Sequence, residues 1–141
     1  MDDIRLTTSV TIDAPVERVW DALTTPEQIK GWFFGVDTES DWKAGGTLTH
    51  TGEWQGTPYA DKGEILRIQP PTLLVHTHWS DVSGLPDEPT NYQQVTWALA
   101  GNGGSTRLTI TERNLPSQEA KETSEEGWKV ALMALKHMLE A

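Results

Sequence analysis

The chain has no cysteine, which excludes disulfides, thiolate nucleophiles and cysteine-based metal sites. Basic residues are scarce: 11 Lys and Arg stand against 21 Asp and Glu, for a net charge of −10. That balance argues against nucleic acid and anionic membranes as partners, because phosphate binding rests on Lys and Arg. The acid excess is read as a solubility feature. No apolar run approaches the length needed to span a bilayer. The opening Met1-Asp-Asp-Ile-Arg carries acid where a signal peptide carries base, and no apolar segment follows. A cytoplasmic protein without membrane insertion is expected. Phe and Tyr occur only twice each, yet there are seven Trp. Trp fills cores, but its N–H needs a partner and its flat face suits a ligand wall. No nucleophile elbow, P-loop, dinucleotide fingerprint or zinc-protease helix is present, so no cofactor is expected.

At 141 residues the chain is predicted to form one domain, 1–141, with one core. Leu6 to Ile12 alternates and predicts a strand with one buried face. Pro15 fits a first helical position, and Val16, Val19, Trp20 and Leu23 follow with helical spacing. Thr25-Pro-Glu-Gln predicts a second short helix with Thr25 and Gln28 as a capping box. Gly45-Gly46 marks a turn, after which Leu48, His50, Gly52 and Trp54 share one strand face. A strand from Lys62 to Ile68 leaves its inner face open between Glu64, Leu66 and Ile68 on one parity and Ile65 on the other. The next strand is read with Leu73, Val75, Thr77 and Trp79 on one face. Ser80 to Thr90 is a Pro- and Asp-rich loop. Val95, Trp97 and Leu99, then Leu108, Ile110 and Glu112, form the inward sets of two strands joined at Gly101-Asn-Gly-Gly. Trp128, Ala131, Leu132, Leu135 and Leu139 make the buried stripe of a closing helix.

Few residues suggest chemistry. His76 and His78 have chelate spacing, but their parity, opposite to Trp79, predicts that they face solvent, and no metal site is expected. His50 is expected on the concave face, as a hydrogen-bonded core histidine or a general base. An acid–base role needs a second titratable group, and Glu64 is the one candidate; the two are expected on opposite faces. No catalytic residue is assigned.

The order and spacing of several segments resemble a known family. They are Ala14-Pro-Val-Glu-Arg-Val-Trp-Asp-Ala-Leu-Thr-Thr-Pro-Glu with Trp32; Gly45-Gly46; Gly63-Glu-Ile-Leu-Arg-Ile-Gln-Pro-Pro with Leu74 and Trp79; Val95-Thr-Trp-Ala-Leu; Ser105-Thr-Arg-Leu-Thr-Ile-Thr-Glu; and Gly127-Trp with Leu132 and Leu135. The chain resembles the SRPBCC superfamily, which shares its fold with START lipid-transfer domains and the birch pollen allergen. Within it, the chain is most similar to the group named for the activator of the heat-shock-protein-90 ATPase. The resemblance implies an α+β helix-grip fold: a curved antiparallel sheet wrapped around a long C-terminal helix, with two short helices after the first strand. It also implies a cavity for apolar molecules, and enzymatic activity in a minority of members. The chaperone activator itself has a separate N-terminal domain, and nothing like it occurs in these 141 residues.

The function expected is binding of a small, largely apolar ligand between sheet and C-terminal helix. The expected lining is Trp32, Phe33, His50, Trp54, Tyr59, Trp79, Trp97, Trp128, Leu132 and Leu135, with His50 and Tyr59 as polar orienting groups. The rivals are a cyclase, dehydratase or hydrolase on the same fold, and a module that docks on a chaperone or other protein.

Overall fold

The computed structural model describes residues 3–141; Met1 and Asp2, part of the acidic opening segment, lie outside the described residues. The elements run β1 (Leu6–Ile12), α1 (Val16–Thr24), α2 (Pro26–Trp32), β2 (Asp37–Ser40), β3 (Thr47–Trp54), β4 (Thr57–Gln69), β5 (Leu73–Ser80), β6 (Gln93–Asn102), β7 (Ser105–Arg113) and α3 (Gln118–Glu140). All pairings are antiparallel, in the order β1-β7-β6-β5-β4-β3-β2. This is the expected curved sheet, long C-terminal helix and pair of short helices after the first strand.

The helices begin and end for local reasons. Pro15 is the N-cap residue of α1, one position before the first helical residue. Thr25 caps α2 through its backbone carbonyl, which accepts from Gln28 and Ile29 N–H at 2.9 Å; its side chain makes no capping bond. The expected capping box is therefore absent at Thr25. Ser117 does cap α3, its hydroxyl oxygen accepting from the Ala120 N–H at 3.0 Å. At the far end, Lys136 Nζ donates to the Thr11 carbonyl, and the Glu140 carboxylate accepts the Asp13 N–H, each at 2.8 Å. The helix is thus tied along β1, and Ala131, Leu132, Leu135 and Leu139 are buried beneath it with Ile12, Leu108 and Ile110 in one core.

Two strands depart from their simple alternation. In β4 the register with β5 shifts between Ile65 and Arg67, a bulge that adds one residue at Leu66. Ile65 is fully buried and Ile68 packs on the same core, although they are three apart. An extra residue is what lets two positions of opposite parity face inward. In β5 the inward set is Leu74, His76 and His78, not Val75, Thr77 and Trp79. Apolar residues occur on both faces because the segment after β5 folds back over the convex side. There the Trp79 indole N–H donates to the Leu85 carbonyl at 3.2 Å, and its ring stacks on Tyr92 with Lys62 Nζ 5.5 Å from its centroid. Strand β2, which its polar sequence Asp-Thr-Glu-Ser did not predict, forms the short edge beside β3.

Candidate functional site

Between the concave face of the sheet and the N-terminal half of α3 lies a hollow of about 610 Å³. A smaller void of about 20 Å³, too small for any organic ligand, lies behind it among Leu23, Ile29, Trp32, Leu48 and Leu74. Each wall of the hollow follows from an element already described. The Gln55-Gly56 turn, with φ of 51° and 85°, joins β3 to β4 as a two-residue hairpin and brings Trp54 and Tyr59 to the rim. The turn after α2 holds Phe34 at φ 53°, an uncommon conformation for a bulky residue, with its ring exposed at the mouth. Val130 of α3 and Val82 of the loop complete that rim. Four of the six large hydrophobic side chains exposed among the described residues therefore border this one opening.

The deep end is aromatic. Trp97 meets Trp128 edge-on at 5.2 Å, Phe33 stacks on Trp128 at 5.9 Å, and Phe33 meets the His50 ring at 5.5 Å. The indoles are satisfied in ways that fix their orientation. Trp128 Nε1 donates to the Glu112 carboxylate at 3.1 Å, and Trp97 Nε1 donates to His76 Nε2 at 2.9 Å. Because an indole can only donate, His76 Nε2 must be the accepting nitrogen; Nδ1 then donates to the Thr77 carbonyl at 2.8 Å. His76 is 5% exposed, and burial pushes its pKa down to about 3, against a smaller opposing effect of the Thr77 bond. His76 is thus a neutral, single-tautomer imidazole in the floor.

Beside it lies a polar cluster that the sequence did not suggest. The register that pairs His50 with Asp61, and Asp61 with Ser80, brings β3, β4 and β5 together on one inward row. His78 Nε2 lies 3.2 Å from an Asp61 oxygen, and its Nδ1 is buried without a hydrogen-bond partner. Burial works against a charge on His78, but the Asp61 hydrogen bond and charge, with Glu112 and Gln93 nearby, outweigh it and raise its pKa. Asp61 responds reciprocally: burial raises its pKa, but the contacts with His78, Ser80 and His50 leave it lowered. His50 bonds Thr38 Oγ1 through Nδ1 at 2.8 Å, and burial, helped by His78, lowers its pKa to about 4. Glu112, 5% exposed, accepts from Ser124 Oγ as well as from Trp128.

Of the ten expected lining residues, Phe33, His50, Trp54, Tyr59, Trp97 and Trp128 border the hollow. Four do not. Trp32 sits behind it, its indole N–H donating to the Ala22 carbonyl at 2.8 Å. Trp79 lies on the convex face, and Leu132 and Leu135 lie in the packed core under α3. His76 and His78 face inward rather than toward solvent, because they are in phase with Leu74. Glu64, opposite Thr47, is exposed on the outer face, so it and His50 are on opposite sides of the sheet as expected. Asp61 was missed; its parity with Tyr59 and Ile65 was the available signal. Among the described residues no helix is long and apolar enough to cross a membrane.

Comparison with protein families matches residues 13–140 to the family described as Activator of Hsp90 ATPase homolog 1-like protein. Comparison with curated proteins finds no match. Among solved structures, ChR145 from Cytophaga hutchinsonii is 37% identical, with a TM-score of 0.83 over 97% of this chain and 94% of that one. Protein CV1439 from Chromobacterium violaceum is 25% identical, with a TM-score of 0.81 over 99% and 97% of the two chains. CalU16 from Micromonospora echinospora is 28% identical, with a TM-score of 0.74 over 95% of this chain and 73% of that one.

Proposed function

The chain belongs to the Activator of Hsp90 ATPase homolog 1-like family, and from that membership and its own hollow we propose that it binds a small, largely apolar molecule between the curved sheet and α3. The observation that carries this reading is the hollow of about 610 Å³, walled by Phe33, Trp97 and Trp128 and opening through an apolar rim. Drug-sized ligands occupy pockets of roughly 300–1,000 Å³ with a few convergent polar groups. Here those groups are the His78–Asp61 pair, His50 and Tyr59.

Titration with a library of apolar probes, flavonoids and aromatic alcohols among them, is expected to quench tryptophan emission saturably, since Trp54, Trp97 and Trp128 border the hollow. Val130→Arg, at an exposed rim position, is expected to weaken that binding without unfolding the protein. A linear, non-saturating response across the whole library would refute ligand binding.

A second reading, proton transfer to or from the bound molecule, is favoured by the His78–Asp61 contact at 3.2 Å inside the hollow. Asp61 borders the hollow, and the His78 contact helps to hold its carboxyl below the usual range, so it stands as a carboxylate able to act as general base. Cyclisation and dehydration both need such a step. Under this reading the protein accelerates deuterium exchange at the methyl group of an aryl methyl ketone, and Asp61→Asn abolishes the acceleration while the circular dichroism spectrum is kept. An exchange rate equal to that of buffer would leave the hollow as a binding site only.

A further inference from the structure

The hollow has a charge bias that its apolar walls do not require. Three carboxylate side chains border it, Asp61, Glu112 and Glu126, and no lysine or arginine does. Asp61 is compensated by His78 at 3.2 Å. Glu112 has no ion-pair contact of its own: its Oε1 accepts from Ser124 Oγ and Trp128 Nε1, both uncharged donors, and its charge acts on His78, which Asp61 already holds. Glu126 approaches Lys129 only to 3.9 Å, at the exposed surface, where the pair contributes little neutralisation. The other two imidazoles add no positive charge at neutral pH, because burial holds both well below it.

Aromatic faces share the same space: Phe33, Phe34, Trp54, Tyr59, Trp97 and Trp128. The face of an aromatic ring carries negative electrostatic potential and attracts ammonium groups, most strongly where water is displaced. An aromatic wall bordered by three carboxylates, with His78 alone to balance them, suits an organic cation. A carboxylate-bearing ligand of the same shape would instead meet Glu112 and Glu126 with only the already paired His78 to receive it. The net charge of −10 extends the same preference to the approach.

We propose that the hollow selects organic cations, molecules with an apolar body and an alkylammonium or quaternary ammonium group. The inference rests on the ligand-binding reading above and names the class of ligand for that site.

Three probes on one naphthalene body separate the possibilities: naphthylmethyl-trimethylammonium, naphthylmethanol and naphthylacetate, each titrated by calorimetry into the intact chain. The ammonium is expected to bind at least about tenfold more tightly than the alcohol, and the carboxylate most weakly. The gap between ammonium and alcohol should narrow as ionic strength rises. Glu112→Gln is expected to reduce it to about threefold or less. Glu126→Gln, at an exposed position, is expected to narrow it by a smaller factor and serves where Glu112→Gln does not fold. An alcohol or carboxylate that binds as tightly as the ammonium overturns the charge selection and leaves ligand binding standing. Failure of all three, together with no saturable response in the apolar library, removes ligand binding itself.

Discussion

Replacing Leu132 by alanine is expected to destabilise the protein by about 2–5 kcal/mol, the range for a fully packed leucine. Leu132 is 3% exposed and shares its core with Ile12, Leu108 and Leu135. Truncation removes three carbons from that core and leaves a void that a helix tied to β1 by Lys136 and Glu140 cannot readily close. A urea titration reads the loss as a lower midpoint with an unchanged slope. Val130→Ala provides the contrast: that side chain is exposed at the rim, and its loss should stay within about 0.5 kcal/mol of zero. A Leu132 cost under ~1 kcal/mol would mean that the side chain faces open space, and would return it to the hollow.

Acidification is expected to have an effect of similar size. His76 and His50 have folded-state pKa values of about 3 and about 4, against 6.5 for free histidine. Both folded values are depressed, so below pH 6.5 the unfolded chain takes up protons that the folded chain refuses. Stability therefore falls as pH drops. With two such groups the slope near pH 5 is roughly 2.7 kcal/mol per pH unit. It weakens as His50 protonates near pH 4 and His76 near pH 3. His78 does not oppose the loss in this window. Its folded pKa is raised, so its contribution is complete below 6.5 and is lost only as pH rises through the folded value. Asp61, lowered in the fold, adds to the loss as pH falls below the ordinary carboxylate range. Denaturant midpoints taken at intervals from pH 7 to pH 4 measure the slope. Constant stability between pH 6.5 and 4.5 would show that neither imidazole is held neutral by the fold.

These two expectations also mark how far the sequence was readable. Where a strand is buried on one face only, period-2 alternation suffices: Val95, Trp97 and Leu99 in β6 and Leu108 and Ile110 in β7 all face the core as read. The stripe of α3 was equally clear, since Trp128, Ala131, Leu132, Leu135 and Leu139 recur at helical spacing and are the residues the helix buries. Alternation fails for definite reasons elsewhere. In β5 the loop behind Trp79 shelters the convex face, so apolar residues mark both sides and the histidines were assigned to the wrong one. In β4 the extra residue at Leu66 makes Ile65 and Ile68 face the same way, a change of phase without a local sequence mark. The candidate site depended on both strands. His78 and Asp61 meet only because the hairpin register sets β4 beside β5, and register is a property of pairing, not of either strand alone. The aromatic wall was legible in part because Trp97 and Trp128 lie on well-patterned elements, whereas Trp79 does not.

The attachment of α3 to β1 bears on how the molecule behaves in a crowded solution. An open sheet has two outer strands, and the unpaired backbone of an outer strand is a template on which another chain can add. At one side of this sheet the Thr11 carbonyl and Asp13 N–H near the end of β1 are already occupied by Lys136 and Glu140. At the other, β2 is four residues long and carries Asp37 and Glu39, both exposed. A short acidic margin repels its own copy, and a margin with two backbone groups at one end taken up by its own helix offers less purchase there. The same contacts that seat the helix over the sheet thus discourage strand-by-strand polymerisation, a protection that a protein with an exposed apolar mouth has particular need of.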